Sequence, residues 1–182
     1  MKHPFRWIAL AVGVGVAVLA VVLALSIGNE PRQDALTSRL LGRRSPEFAV
    51  TMLKDGKHLT SADLAGKTVI VNFWNGWCLP CQQELPALTS WYARHKDDPD
   101  LAFIGIPRDD TAGAIRSAAK EQGVVWSAQQ DDGAKAATLA FGTRGQPETY
   151  AISPDGVIVG SLYGPVTTQI LDQMLARARG TS

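Results

Sequence analysis

Residues 68–88, TVIVNFWNGWCLPCQQELPAL, carry the strongest structural signals in this chain. The run Thr68–Trp74 is rich in β-branched and aromatic residues and stops at an Asn-Gly pair, which is typical of a buried strand. A helical pattern follows soon after it. Two cysteines three residues apart, Cys78 and Cys81, therefore lie where a strand passes into a helix.

The position and spacing of these two cysteines predict a redox-active pair. Cys78 is expected to be exposed at the N-terminus of the helix, where partial positive charge favours the thiolate. Cys81, one turn further on, can attack a mixed disulfide formed at Cys78. A zinc site would need a second pair of ligands, and the chain has no third cysteine and only three scattered histidines. A structural disulfide across so short a loop would restrain little of the unfolded chain.

The first part of the 182-residue chain is dominated by an uncharged apolar run, Trp7–Ile27. Its 21 residues are enough to cross a bilayer as a helix, which takes about 20. Lys2 and Arg6 precede the run, so the N-terminus should stay in the cytoplasm and the rest should face out. The run is longer than the core of a cleaved signal peptide and lacks a good cleavage site. We therefore expect residues 1–27 to be a signal anchor of a single-pass cell-membrane protein whose catalytic domain is extracytoplasmic.

The charge balance argues against a nucleic-acid partner. Without Lys2 and Arg6, 16 of the 18 basic residues remain against 17 acidic ones. The part beyond the apolar run is thus about neutral and has no basic patch. No apolar stripe requires a second copy, so we expect a monomer, with no cofactor and no metal.

The remaining sequence alternates between strand and helix patterns. Residues 28–44 are polar and are expected to be a linker. The predicted elements after it are a hairpin around Asp55-Gly56, strands at 68–74, 101–106, 148–152 and 157–162, a short edge strand at 124–126, and helices ending near 95, 122, 141 and 179. This order predicts an α/β domain over residues 45–179 with the thioredoxin fold: a central mixed sheet, helices on both faces and an N-terminal β-hairpin extension, preceded by one transmembrane helix.

Several motifs add a family resemblance between Ser45 and Ala178. They are SPEF at 45–48, VNFW at 71–74, WCLPC at 77–81, ELP at 84–86 and GQPET at 145–149. On these motifs the chain resembles the membrane-tethered thioredoxin-like proteins of the TlpA/ResA/CcmG (DsbE) group. The segment PETYAISPDG at 147–156 is most similar to the cytochrome c-maturation branch of that group.

The resemblance implies roles for individual residues. Cys78 corresponds to the nucleophile and Cys81 to the resolving thiol, with a redox-active disulfide between them in the oxidised state. Pro147 corresponds to a cis-proline that faces the pair, and the backbone of Gln146 to the strand partner of an extended substrate segment. Trp77 corresponds to a lid over the disulfide, although it could equally pack the start of the helix.

Two acidic residues have two interpretations each. Glu84 matches an acidic position that tunes the thiol pair or moves protons in some relatives, but the helix dipole alone favours an acid in the first turn. Glu148 either shapes the substrate groove or is a solvated strand residue.

The predicted activity is thiol–disulfide exchange, and the direction of electron flow has two interpretations. The resemblance implies a reductase that keeps the haem-binding thiols of apocytochrome c reduced and draws electrons from a membrane thiol–disulfide carrier. The alternative is an oxidant that forms disulfides in secreted proteins. A copper(I)-binding carrier is a more remote class, because soft thiolates suit that ion but no histidine is placed beside the pair. A thiol peroxidase fits less well, because Cys78 belongs to a close dithiol.

Overall fold

The computed structural model describes residues 12–22 and 38–180 of the chain. It divides into two compact units, Met1–Asp34 and Ala35–Ser182. In the first unit, residues 12–22 form helix α1. Among the described residues, no helix is both long and apolar enough to cross a membrane. Both ends of the predicted run Trp7–Ile27 lie outside the described residues, so the signal anchor stays a prediction.

The described part of the second unit contains a four-stranded sheet and a separate hairpin. In chain order its elements are β1 (Ala49–Thr51), β2 (His58–Thr60), a 3-10 turn (Ser61–Leu64), β3 (Thr68–Trp74), α2 (Leu79–His95), β4 (Leu101–Pro107), α3 (Ala112–Gln122), α4 (Asp132–Phe141), β5 (Glu148–Ile152), β6 (Ile158–Tyr163) and α5 (Thr168–Ala178). The sheet has the order β4-β3-β5-β6, and β1 pairs with β2. Strand β3 is parallel to β4 and antiparallel to β5, and β5 is antiparallel to β6. The predicted mixed sheet and N-terminal hairpin are confirmed.

Strand β3 lies inside the sheet and is covered on both faces. All seven of its residues are buried. Ile70 and Trp74 belong to the core formed with α2, α3 and α5. Val69, Val71 and Phe73 belong to the core formed with the hairpin and α4. A strand buried on both faces has a nearly continuous apolar sequence rather than an alternating one. The bounds predicted for β3 from the sequence are therefore the same as those in the structure.

The short edge strand predicted at 124–126 is wrong. Trp126 is buried instead, against Gly105 of β4, where a Cβ would come within 2.5 Å of the indole ring. The chain then forms two isolated bridges, from Ser127 to Gly105 and from Ala128 to the residue after β1. The segment therefore pairs with β4 only around Gly105, through residues 126–128, and forms no strand at 124–126.

The C-terminal part of the predicted linker, residues 38–44, contacts the sheet. The Gly42 N–H donates to the Ile158 carbonyl at 2.8 Å, and the Ile158 N–H donates to the Arg43 carbonyl at 2.9 Å. Arg44 forms an antiparallel bridge with Val157. This stretch therefore pairs along the outer edge of β6. Residues 28–37 include the rest of the predicted linker and lie outside the described residues, and the domain boundary at residue 45 stays a prediction.

Glycine is required where α4 begins against the hairpin. A Cβ on Gly133 would collide with the backbone carbonyl oxygen of Ala49 in β1, whereas Gly113, at the same second position of α3, has open space around it. We expect Gly133→Ala to lower the free energy of unfolding by about 1–3 kcal/mol through overpacking. Gly113→Ala should raise it by about 0.5–1 kcal/mol, because alanine loses less backbone entropy in a helix. Urea unfolding of both variants measures the difference, and effects of equal sign would contradict this account.

Candidate active site

The two cysteines form a disulfide at the start of α2. Cys78 is the N-cap of the helix, and its sulfur accepts a hydrogen bond from the Cys81 N–H at 3.1 Å. Pro80 lies in the first turn, where its missing N–H leaves no helical hydrogen bond unmade. The strand–helix junction predicted from the sequence therefore brings the two sulfurs together.

The exposure predicted for Cys78 is wrong. Only 4% of Cys78 is exposed, and Cys81 is completely buried. The N-cap side chain folds back over the first turn, where it is bonded to Cys81 and belongs to the core between the sheet and α2. The neighbouring side chains Trp77 and Leu79 are 63% and 64% exposed. An apolar rim, formed by Trp77 and Leu79, therefore lies beside a nearly buried sulfur.

The loop before β5 faces the disulfide. The Gln146–Pro147 peptide bond is cis, and the Gln146 carbonyl oxygen lies 3.7 Å from the Cys78 sulfur. The Pro147 carbonyl accepts a hydrogen bond from the Gly164 N–H at 2.9 Å, which ties this loop to the one before α5. A sulfur in a disulfide carries no hydrogen, so the contact with Gln146 can become a hydrogen bond only when Cys78 is a thiol.

Arg108, directly after β4, is a site residue that the sequence analysis missed. Its guanidinium donates to Thr143 Oγ1 at 3.0 Å and to Gln146 Oε1 at 2.8 Å, and it pairs with the Asp109 carboxylate at 3.0 Å. The Trp77 indole N–H donates to the Asp109 carbonyl at 3.4 Å. Arg108 thus connects the loop behind the rim with the cis-proline loop. The sequence did contain a signal for this role of Arg108. The residue directly follows the carboxyl end of a parallel strand, and ligand-binding sites form at those ends.

Glu84 is buried on the inner side of α2, about one turn after Cys81. Only 2% of it is exposed. Its Oε1 accepts from Asn72 Nδ2 at 2.9 Å and its Oε2 from the Val166 N–H at 2.8 Å. Burial raises the pKa of Glu84 from 4.5 to about 7, against the opposing effect of the hydrogen bonds from Val166 and Asn72. The interpretation of Glu84 as a first-turn acid stabilised by the helix dipole is wrong, because the first turn contains no acid.

The raised pKa of Glu84 predicts a pH-dependent stability. An unfolded glutamate ionises near 4.5, whereas the folded protein holds this proton up to about 7. Between those values the folded state binds more protons, so the free energy of unfolding falls as the pH rises. The stabilisation that the Glu84 proton gives to the folded state is fully present below pH 4.5 and is lost as the pH rises through 7. It amounts to a free energy of unfolding on the order of 3 kcal/mol. Denaturant titrations at several pH values should show that Glu84→Gln removes this slope, and equal slopes would refute the assignment.

Glu148, at the start of β5, is also buried, so the interpretation as a solvated residue is wrong. Its Oε1 accepts from the Tyr150 hydroxyl at 2.8 Å, and its Oε2 accepts from the Arg144 N–H at 3.1 Å. The Arg144 guanidinium lies 4.0 Å from Oε1. Glu148 therefore anchors the turn that leads into Gln146. A role in shaping a substrate groove stays a prediction.

The site combines two sulfurs that can exchange two electrons with one carboxyl group that can take up a proton near neutral pH. Both cysteines belong to the apolar core on this face of the sheet, and the Gln146 carbonyl and the Cys81 N–H lie beside the Cys78 sulfur. In the described parts of the chain, no three His, Cys, Asp or Glu side chains are grouped so that they could hold a metal ion.

Comparisons with known proteins place this geometry in context. Residues 41–161 match the model of the AhpC/TSA family. The chain is similar to the thiol-disulfide oxidoreductase ResA of Bacillus thuringiensis (strain Al Hakam), with 31% identity over 137 residues that cover 75% of this chain and 78% of the Bacillus protein. It is 32% identical over 162 residues to the thiol:disulfide interchange protein DsbE of Pseudomonas aeruginosa, covering 87% of this chain and 85% of that protein.

A solved structure of a similar protein has the same fold. The crystal structure of a thioredoxin-family thiol:disulfide interchange protein from Chlorobium tepidum TLS superposes with a TM-score of 0.64 and 27% sequence identity. The match covers 74% of this chain and 94% of the Chlorobium chain.

Proposed function

We propose a specific function for a protein that belongs to the AhpC/TSA family, has a thioredoxin-like fold and is a thiol–disulfide oxidoreductase. The proposal is that it acts as a reductase outside the cytoplasm and keeps the haem-binding thiols of apocytochrome c free. Cys78 is the nucleophile and Cys81 the resolving thiol. The thioredoxin-like fold and the thiol–disulfide oxidoreductase activity predicted from the sequence are confirmed, whereas the location, the direction of electron flow and the substrate stay predictions.

The observation that carries the direction is the burial of both sulfurs without a basic partner. Among the described residues, neither sulfur forms a hydrogen bond with a Lys, Arg or His side chain, and both side chains are buried. Burial in apolar surroundings disfavours a thiolate, and at Cys78 this opposes the stabilisation given by the helix N-terminus and by the Cys81 N–H. A dithiol whose reduced form is not specially stabilised is a better electron donor than one whose thiolate is stabilised. The environment of the pair therefore favours a reductase over an oxidant.

The reaction transfers two electrons in two exchange steps. The Cys78 thiolate attacks a substrate disulfide, so that a Cys78–substrate bond forms and one substrate sulfur leaves as a thiolate. The Cys81 thiol then gives its proton to Glu84, and its sulfur attacks the Cys78 sulfur. The Cys78–substrate bond breaks and the second substrate sulfur leaves as a thiolate. The two substrate thiolates take up one proton from Glu84, which becomes a carboxylate again, and one from solvent, which received it when Cys78 ionised. The Cys78–Cys81 disulfide that results is reduced again by a membrane dithiol carrier.

The cis-proline loop and the rim are the proposed substrate-binding surface. The backbone of Gln146 pairs with an extended substrate segment, which brings the substrate sulfur to Cys78. Pro147 contributes no N–H to this pairing. Trp77 supports the segment on the other side of the disulfide, and Glu148 holds the loop in place through its contact with Arg144.

Membrane attachment is part of the proposal. It is supported by the uncharged run Trp7–Ile27 and by the basic residues Lys2 and Arg6 that precede it. The mature protein should begin near Met1 and sediment with membranes. A soluble extracytoplasmic form that begins near Asn29 would exclude the anchor.

Thiol trapping in growing cells tests the direction. Cells are quenched in acid, free thiols are alkylated, and the two redox forms are separated by mass. A reductase should be found mainly with Cys78 and Cys81 as free thiols, and it should become oxidised when the membrane dithiol supply is removed. A pair that is mainly disulfide-bonded in untreated cells would identify the protein as an oxidant instead.

A further inference from the structure

Asn72 lies at the centre of β3 and is completely buried. Its Nδ2 donates to two oxygen atoms, Glu84 Oε1 at 2.9 Å and Thr149 Oγ1 at 3.0 Å. Its Oδ1 is buried and has no hydrogen-bond partner among the described residues. The amide therefore uses both of its hydrogens and leaves its oxygen unpaired.

Packing does not explain this arrangement. A buried carbonyl oxygen without a partner is destabilising and uncommon. The other residues of β3 on this face include Ile70 and Trp74, which are apolar and buried. A leucine at position 72 would fill a similar space without an unpaired oxygen.

The orientation is explained by the carboxyl group that it faces. If the amide were reversed, Oδ1 could accept from the Thr149 hydroxyl, but it would also point at Oε1 of Glu84. Two acceptors would then oppose each other whenever Glu84 is ionised. The observed orientation presents an N–H to Glu84, and Thr149 holds the amide in that orientation by accepting its second hydrogen.

We propose that Asn72, oriented by Thr149, is a positioning residue that holds Glu84 ready to accept the proton of Cys81. The inference rests on the role given to Glu84 in the proposed function. Val166 donates to the second carboxyl oxygen, so both oxygens face donors. Each contact favours the carboxylate, while burial favours the neutral acid, and the balance lets Glu84 change its protonation state near neutral pH.

The groups that face this carboxyl are few. They are the Asn72 amide from β3 and the Val166 N–H from the loop before α5, with Thr149 of β5 behind Asn72. Cys81 precedes Glu84 by about one turn on α2 and is buried as well. The residues of α5 in this core are apolar. In the described residues no charged side chain forms a hydrogen bond or ion pair with Glu84. Within residues 12–22 and 38–180, Asn72 therefore supplies the one side-chain hydrogen bond that favours the ionised form of Glu84.

Four variants distinguish a loss of the Asn72–Glu84 contact from a general disruption of core packing. Asn72→Leu removes the donor and keeps the branching and the number of side-chain heavy atoms, although leucine is larger. Thr149→Val removes the hydroxyl that orients Asn72, and Thr149→Ser restores it. Thr68→Val is the matched control, because Thr68 is buried on the same face of β3 but lies four residues, roughly 13 Å, from Asn72.

The first measurement is the titration of the Glu84 side-chain carbon by ¹³C NMR in the oxidised protein. The wild-type midpoint should be near 7. Asn72→Leu should move it upward by about one to two pH units, since a hydrogen bond to the ionised group is lost. Thr149→Val should move it in the same direction by less, while Thr149→Ser and Thr68→Val should keep the wild-type midpoint.

The second measurement is the single-turnover release of reduced substrate as a function of pH. Its midpoint should follow that of Glu84, so that release at pH 7 slows about fivefold for an upward displacement of one pH unit and about fiftyfold for two. Unchanged Glu84 midpoints in both Asn72→Leu and Thr149→Val would overturn the proposal, and so would an equal displacement in Thr68→Val. If Asn72→Leu does not fold, the Thr149 pair decides. The titration uses no substrate, so its outcome is independent of the direction of electron flow.

Discussion

Cys81→Ser will stop turnover and leave the protein covalently bound to its substrates. Cys78 can still attack a substrate disulfide, but no second sulfur is present to break the mixed disulfide. The structure supports this order of events, because Cys78 lies beside the rim and the Gln146 carbonyl, whereas Cys81 is completely buried. We expect turnover to fall to the background rate and adducts to accumulate on non-reducing gels, where mass spectrometry identifies the partners.

Cys78→Ser is the matched control for this trapping experiment. The variant keeps Cys81 and changes the same number of atoms, but it lacks the sulfur that faces the substrate. It should trap few or no partners. Equal trapping by both variants would show that the nucleophile and the resolving thiol have been assigned wrongly.

Glu84→Gln will slow the second exchange step and leave the first one intact. Glutamine keeps the volume and one acceptor oxygen but cannot take the Cys81 proton at neutral pH. General-base catalysis contributes typically 10²–10⁴-fold, so we expect release of reduced substrate at pH 7 to slow by about 10²-fold. The rate should also lose its dependence on a group that titrates near 7. Rapid-quench kinetics would show a transient mixed disulfide at Cys78.

Glu121→Gln provides the control for this substitution, because it makes the same chemical change at an exposed position of α3. It should keep the wild-type release rate and pH profile. If Glu84→Gln releases substrate as fast as this control, Glu84 is not the proton acceptor, and its buried position has a purely structural role.

Much of the fold could be predicted because its signals are local. Thr68–Trp74 is rich in β-branched and aromatic residues, and Gly123 and Gly142 end α3 and α4 with positive φ values of 69° and 59°. The segment at 124–126 was predicted wrongly, because a short apolar run has the same composition whether it forms an edge strand or inserts an indole into the core.

The contacts inside the site could not be predicted in the same way. Asn72 meets Glu84 across 12 residues and Thr149 across 77 residues of sequence, and the second pairing depends on the antiparallel register of β3 and β5. The burial of Cys78 and the contact of Arg108 with Gln146 likewise depend on how separate loops meet. Sequence patterns indicate which loops carry chemistry, but the register of the sheet decides which side chains touch.

The most direct test of the central claim counts the free thiols of the protein and of a peptide substrate after they have reacted. The reduced protein is mixed with an oxidised peptide that contains Cys-x-x-Cys-His, the attachment sequence of c-type haem, and all free thiols are alkylated and weighed by mass spectrometry. The account predicts that Cys78 and Cys81 lose their two thiols to a disulfide while the peptide gains two. A protein that keeps both thiols free, beside a peptide that stays oxidised, would contradict it.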